Sequence, residues 1–237
     1  MSQAATLDPA SRAADPRGKI IDALMELAAE RDFEHISISD IAARAGVSLA
    51  DFRDAFPSKG AVLGGFIRRI DRAVLATPAA ELEGEPAKER LFDALMRRLD
   101  AMAPYRAGLR GVAEWARRDP LSAMALNREA VNSMRFMLET AGIDTEGPVG
   151  TIKTQGLALA FARVLDVWFD DHAPGFPATM AELDRELTRG ESLVGRVEDF
   201  HRLTAPLRAL ARAVVSAPFG GGGRRTEPRP SEDVVEE

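Results

Sequence analysis

Residues 37 to 59 read SISDIAARAGVSLADFRDAFPSK, and this stretch leaves the chain few choices of local structure. Ser37 with Asp40, and Ser48 with Asp51, are two capping boxes: the serine hydroxyl takes the amide three residues on, and the aspartate takes the serine's own amide. Behind the first box, Ile38, Ile41, Ala42 and Ala45 supply a short apolar stripe at helical spacing. Gly46 suits the left-handed conformation that ends a helix, and Pro57 stops whatever begins at Ser48. Ser58 then caps a longer helix expected from about Lys59 to Ala76. Small residues at Ala42, Ala43 and Ala45 let two short helices cross closely, with Phe52 and Phe56 anchoring the second. The expected unit is two short helices joined by a tight turn, with an exit into a third.

The rest of the chain has the same helical period. Ile20, Leu24, Leu27 and Ala28 share one face of a first helix and Asp22, Glu26 and Glu30 the other, with an end near Asp32-Phe33. After a Pro and Glu linker at 77–87, Leu91, Leu95, Leu99 and Met102 define an apolar stripe. Further helices are expected over 105–118, 120–140, 149–171, 178–189 and 194–216, separated by Pro and Gly breaks. No useful alternation for a strand and no internal repeat is present. The fold class is therefore all-α, with about nine helices: a disordered arm at 1–16, a three-helix helix-turn-helix unit at 17–72, a helical-bundle domain at 73–217 and a disordered tail at 218–237.

Composition sets the outer bounds. With 237 residues, 46% of them apolar, a sizeable core is possible. The absence of cysteine excludes disulfides, thiolate nucleophiles and cysteine metal clusters. The N-terminus lacks the basic start and apolar run of a secretory signal, and no stretch is apolar enough to span a membrane, so a cytoplasmic location is expected. A net charge of -6 excludes a protein that coats nucleic acid indiscriminately, while leaving room for a local basic face.

The three-helix unit with IAARAGVS and an F-P-S-K exit, ahead of a long helical body, resembles the Tet repressor (TetR) family. The resemblance is specific over Arg17 to about Arg72 and architectural beyond it. It implies that the N-terminal unit binds double-stranded operator DNA, that the body holds a small apolar effector, and that the last two long helices pair in a homodimer. The DNA-binding residues are then Ser37, Arg44, Ser48, Leu49, Ala50, Asp51, Arg53, Asp54 and Lys59. Arg53 stands where the family usually has a phosphate-touching tyrosine, and Lys59 with the amides opening its helix can grip a phosphate. The second helix is nevertheless acidic. Nine Lys and Arg balance nine Asp and Glu between Arg17 and Arg72, where a DNA-binding module is usually positive.

In the body, methionines and aromatic side chains suggest an adaptable effector pocket: Phe92, Met96, Met102, Tyr105, Trp115, Met124, Met134 and Met137. Plain core packing explains the same spacing. Leu157, Phe161, Val164, Leu165 and Trp168, with Ile152 a turn earlier, form one candidate dimer stripe, and Leu207, Leu210 and Val214 belong to a second; two such helices from each subunit would close a four-helix bundle, though a single subunit could instead bury both stripes. The segment Val164 to Leu187, VLDVWFDDHAPGFPATMAELDREL, also resembles the C-terminal part of the lipid-binding accessory protein of ubiquinone biosynthesis, a relative of the same fold that is no repressor. That resemblance implies an alternative: a lipid- or quinone-binding accessory protein that has lost DNA binding. Asp166, Asp170, Asp171 and His172 cluster at a helix end, but the other histidines are distant, and neither a metal site nor a cofactor is expected. No nucleophile, base and orienting group come together, so no enzyme is expected.

Overall fold

The computed structural model describes residues 15–76 and 84–192. Its first helix, α1 (Pro16–Glu30), starts one residue inside the stretch expected as an arm. Asp15 caps it by accepting from Arg17 N, and proline suits the first helical position, where no amide is needed. A 3-10 turn (Phe33–His35) leads to α2 (Ile38–Ala45) and α3 (Leu49–Ala55), then to α4 (Lys59–Leu75). Both capping boxes form, with Ser37 Oγ accepting from Asp40 N and Ser48 Oγ from Asp51 N, each at 3.1 Å. Gly46 closes α2 at φ 65°, where a β-carbon would be strained.

The body follows as α5 (Ala87–Met102), a 3-10 turn (Ala103–Tyr105), α6 (Arg106–Arg118), α7 (Pro120–Thr140) and α8 (Gly147–Asp170). Helix α9 runs over 177–192. Asp119 serves twice, ending α6 and capping α7 through Leu121 N, so a single residue makes that corner. No strand occurs among the described residues, and the chain is all-α. The segments expected as a mobile arm, most of the linker, the helix over 194–216 and the tail lie outside the described residues.

One apolar core runs through the N-terminal unit into the body. Ile20, Leu24 and Leu27 of α1 meet Phe33, Ile41, Phe52, Phe56, Val62 and Phe66, all essentially buried. Each such side chain taken from water stabilises by roughly 1.5–3 kcal/mol, and together they hold α2 and α3 to α1 and α4. Helix α4 then packs on α5 and α7, and α7 on α8. Helix α1 also lies against α6 of the body, where a β-carbon on Gly108 would strike Met25 O and one on Gly111 would strike Ala28 O. Only glycine permits an approach that close.

Candidate nucleic-acid interface

Helix α3 presents a polar outer face on an apolar anchor. Phe52 is buried in the core, while Leu49, Ala50, Asp51, Arg53 and Asp54 are exposed. Asp51 is already spoken for, and Leu49 and Ala50 are apolar. Asp51 takes Ser48 N at 3.1 Å and Ser48 Oγ at 2.6 Å, bonds that hold its carboxyl below the usual range, so it closes the helix start. Leu49 is 57% exposed, a large apolar side chain on a face with no core beneath it. Arg53 and Asp54 carry the free charge of this surface, and neither has a side-chain partner among the described residues.

The other expected cations are tied inward. Arg44 forms a fork on Glu30, at 2.8 and 2.6 Å, with Glu26 at 3.4 Å. Ser37 is bound up in its capping box with Asp40. Lys59 Nζ donates to Phe33 O at 2.7 Å and Ile36 O at 2.9 Å and sits 4.4 Å from the Phe33 ring centre. Its ammonium clamps the link between α1 and α2 to the start of α4, and burial pushes its pKa down. The ammonium expected to grip a phosphate is thus engaged within the subunit. Arg17 donates to Ala55 O at 2.6 Å and stacks on Phe56. Lys19, Arg53 and Arg72 are the cations of this unit without a side-chain partner among the described residues.

The expected effector residues fall into three groups. Met102, Met134 and Met137 are buried together in the body core, with Phe92 and Met96 half-buried beside it. Tyr105 and Trp115 serve the junction with the N-terminal unit instead: Tyr105 packs edge-on to Phe66 at 5.1 Å, and Trp115 lies 4.5 Å from Phe33. Met124 is 69% exposed on α7, away from any interior. The same core holds a polar group that the sequence reading missed. Arg98 of α5 donates to Asp71 of α4, and Ser133 of α7 donates to the same carboxylate oxygen at 2.6 Å. The signal was present, since Arg98 falls on the stripe of Leu91, Leu95, Leu99 and Met102.

The dimer stripe also divides. Val164 and Trp168 are fully buried within the subunit, Leu157 and Phe161 nearly so, and Leu165 is half-buried. Ile152, Gly156 and Leu159 lie on the outward face of α8, with Ile152 and Leu159 about half exposed. Leu207, Leu210 and Val214 lie outside the described residues. A stripe read by period alone does not say which neighbour covers it.

The acidic end of α8 is balanced from α6. Arg117 pairs with Asp166 and Arg110 with Asp170, while Arg110 and Arg106 also donate to the last carbonyls, Phe169 O and Asp171 O. Asp171 accepts from Thr179 N and Thr179 Oγ1, both at 2.9 Å, fixing the turn into α9. Glu186 of α9 meets Arg163 at 3.0 Å and Arg189 at 2.5 Å. Among the described residues no three His, Asp or Glu side chains gather as a metal site. Arg106 and Arg110 also line an open groove of about 620 Å³ with Ala28, Glu30 and Glu114.

Residues 20–64 match the family model described as bacterial regulatory proteins, tetR family. No curated protein matches the chain. Among solved structures, a TetR transcriptional regulator from Nitrosomonas europaea is similar at a TM-score of 0.59 and 24% identity, over 75% of this chain and 98% of that one. A TetR transcriptional regulator from a Rhodococcus species matches at 0.54 and 18%, over 74% and 95%. A tetR-family regulator from Streptomyces coelicolor matches at 0.50 and 15%, over 86% and 93%. No helix among the described residues is long and apolar enough to cross a membrane.

Proposed function

We propose that the chain, whose residues 20–64 match the model of the tetR family of bacterial regulatory proteins, is a DNA-binding transcriptional regulator of that family and a ligand-responsive repressor acting as a homodimer. The observation that carries this reading is α3 itself: anchored by buried Phe52, capped by Ser48, and turning Leu49, Ala50, Arg53 and Asp54 outward as a recognition surface. Such a helix suits the major groove, with Arg53 facing a phosphate or a guanine edge and Asp54 facing a cytosine amino group. The amides at the start of α4 supply a second anion contact. Two copies of this unit held by a symmetric dimer read a near-palindromic operator. The apolar face of α8 around Ile152 and Leu159 supplies a dimer surface. An effector held in the body shifts α4, which runs from the helix-turn-helix unit into the core, and so changes the spacing of the two α3 helices.

Selection of genomic fragments on the purified protein, followed by a salt titration, tests this. A near-palindromic site is expected, with a shallow salt dependence because few cations are free to release counterions. Replacing Arg53 by Ala lowers affinity and reduces the salt slope by about one, with little change in stability. If no sequence-specific complex forms even at low salt, the repressor reading fails. The inward pairing of Arg44 and Lys59 favours a second reading, a lipid- or quinone-binding accessory protein without DNA affinity, and lipid retained from the expression host without operator binding would support it.

A further inference from the structure

Asp71, Arg98 and Ser133 come together in the core from α4, α5 and α7, and Phe161 of α8 lies 5.7 Å from the guanidinium carbon. Four helices therefore meet around one charge. Arg98 is 4% exposed, yet its Nε proton has no acceptor, whereas Asp71 engages Nη1. A buried ion pair is a weak source of stability, because the cost of desolvating both charges rivals their attraction. A buried donor without an acceptor adds a further cost.

The chemistry of the unused edge narrows what it can receive. A guanidinium offers planar oxyanions two forks, and the one formed by Nε and Nη2 is the fork Asp71 leaves open. Met102 lies one turn beyond Arg98 on α5, and Met134 and Met137 follow Ser133 on α7, all buried. Thioethers repack at low cost, so apolar space can open beside the fork. We propose that the Nε edge of Arg98 receives the carboxylate of an amphipathic monoanion, whose apolar part lies among Met96, Met102, Met134 and Met137, and that Asp71, on the other edge, is the counter-ion with which this carboxylate competes.

The proposal rests on the effector reading above and names the chemical class of that effector. A carboxylate takes both donors of the open fork in charge-assisted bonds, whereas a hydroxyl accepts from one, so a planar anion is selected over an uncharged ligand. Asp71 belongs to α4, whose first residue, Lys59, is clamped to the α1–α2 link, so a weakened pull of Arg98 on Asp71 reaches the helix-turn-helix unit along one helix.

Calorimetric titration of the full chain, with no DNA present, compares decanoate with 1-decanol, both kept below aggregation. Decanoate is expected to bind at least tenfold more tightly than the alcohol. Arg98→Met should cut decanoate affinity tenfold or more and leave decanol binding in place. Asp71→Asn keeps an acceptor for Ser133 while removing the competing charge, so decanoate should bind it more tightly than wild type and raise its Tm further. If Arg98→Met does not fold, Asp71→Asn decides alone. Equal affinities for acid and alcohol, no decanoate binding to wild type, or weaker decanoate binding by Asp71→Asn overturns the proposal. DNA enters none of these measurements, so failure here leaves the operator reading standing, and failure of operator selection leaves the anion site standing.

Discussion

At the scale of single residues, Lys59 illustrates how one side chain can be diverted from an expected role. Its position at the start of α4 is that of a phosphate contact, but Phe33 O and Ile36 O take its ammonium and the Phe33 ring lies against it. Removing the ammonium leaves two carbonyls short of a donor, so Lys59→Ala should lower stability by about 2 kcal/mol. Chemical denaturation measures this loss, and the same variant at saturating folded concentration should keep the salt slope of DNA binding. An unchanged stability with a flatter slope would return Lys59 to the phosphate. Arg44 follows the same logic, because Glu30 and Glu26 hold it to α1 and hydrogen bonding to Glu30 raises its pKa.

At the scale of elements, the junction between α1 and α6 is set by the absence of two β-carbons. Gly108 and Gly111, nearly one turn apart on α6, let the helix rest on the carbonyls of Met25 and Ala28. The obstruction in each case is backbone, which cannot rotate aside as a side chain would. Gly108→Ala should therefore destabilise the protein by about 1–3 kcal/mol, despite alanine's better helix propensity. A thermal melt that moves upward instead would show that α1 and α6 can separate freely. The arginines of α6 perform the complementary task at the far side of that helix, where Arg106, Arg110 and Arg117 neutralise the acidic end of α8. An acidic helix end, unfavourable on its own, is stable here because a neighbour supplies the cations.

At the scale of the whole molecule, several carboxylates act in the same direction on acid stability. Bonds from Ser37 and Ser48 hold Asp40 and Asp51 below the usual carboxylate range, and the Thr179 amide and the Arg110 guanidinium do so for Asp171 and Asp170. A depressed folded pKa contributes stability above the unfolded value, near 4, that is lost as pH falls through the folded value. The unfolding free energy should therefore be flat from pH 7 to about 5 and decline below about 4. Denaturant titrations across that range check it, and a maximum near pH 4 would contradict it.

The local structure of the N-terminal unit was legible in the chain because its determinants are local. Each capping box spans four residues, Gly46 answers a single backbone angle, and Pro57 acts on its own neighbours, so nothing distant can override them. The helical class of the body was legible for the same reason, through period and through Pro and Gly breaks. What only the tertiary structure decided is which face of each helix meets which neighbour: that Val164 and Trp168 point inward, that Tyr105 and Trp115 join the two parts of the chain, and that Arg98 finds Asp71 and Ser133. Those outcomes depend on contacts between residues tens of positions apart, and a periodic stripe carries the need for a partner without carrying its identity.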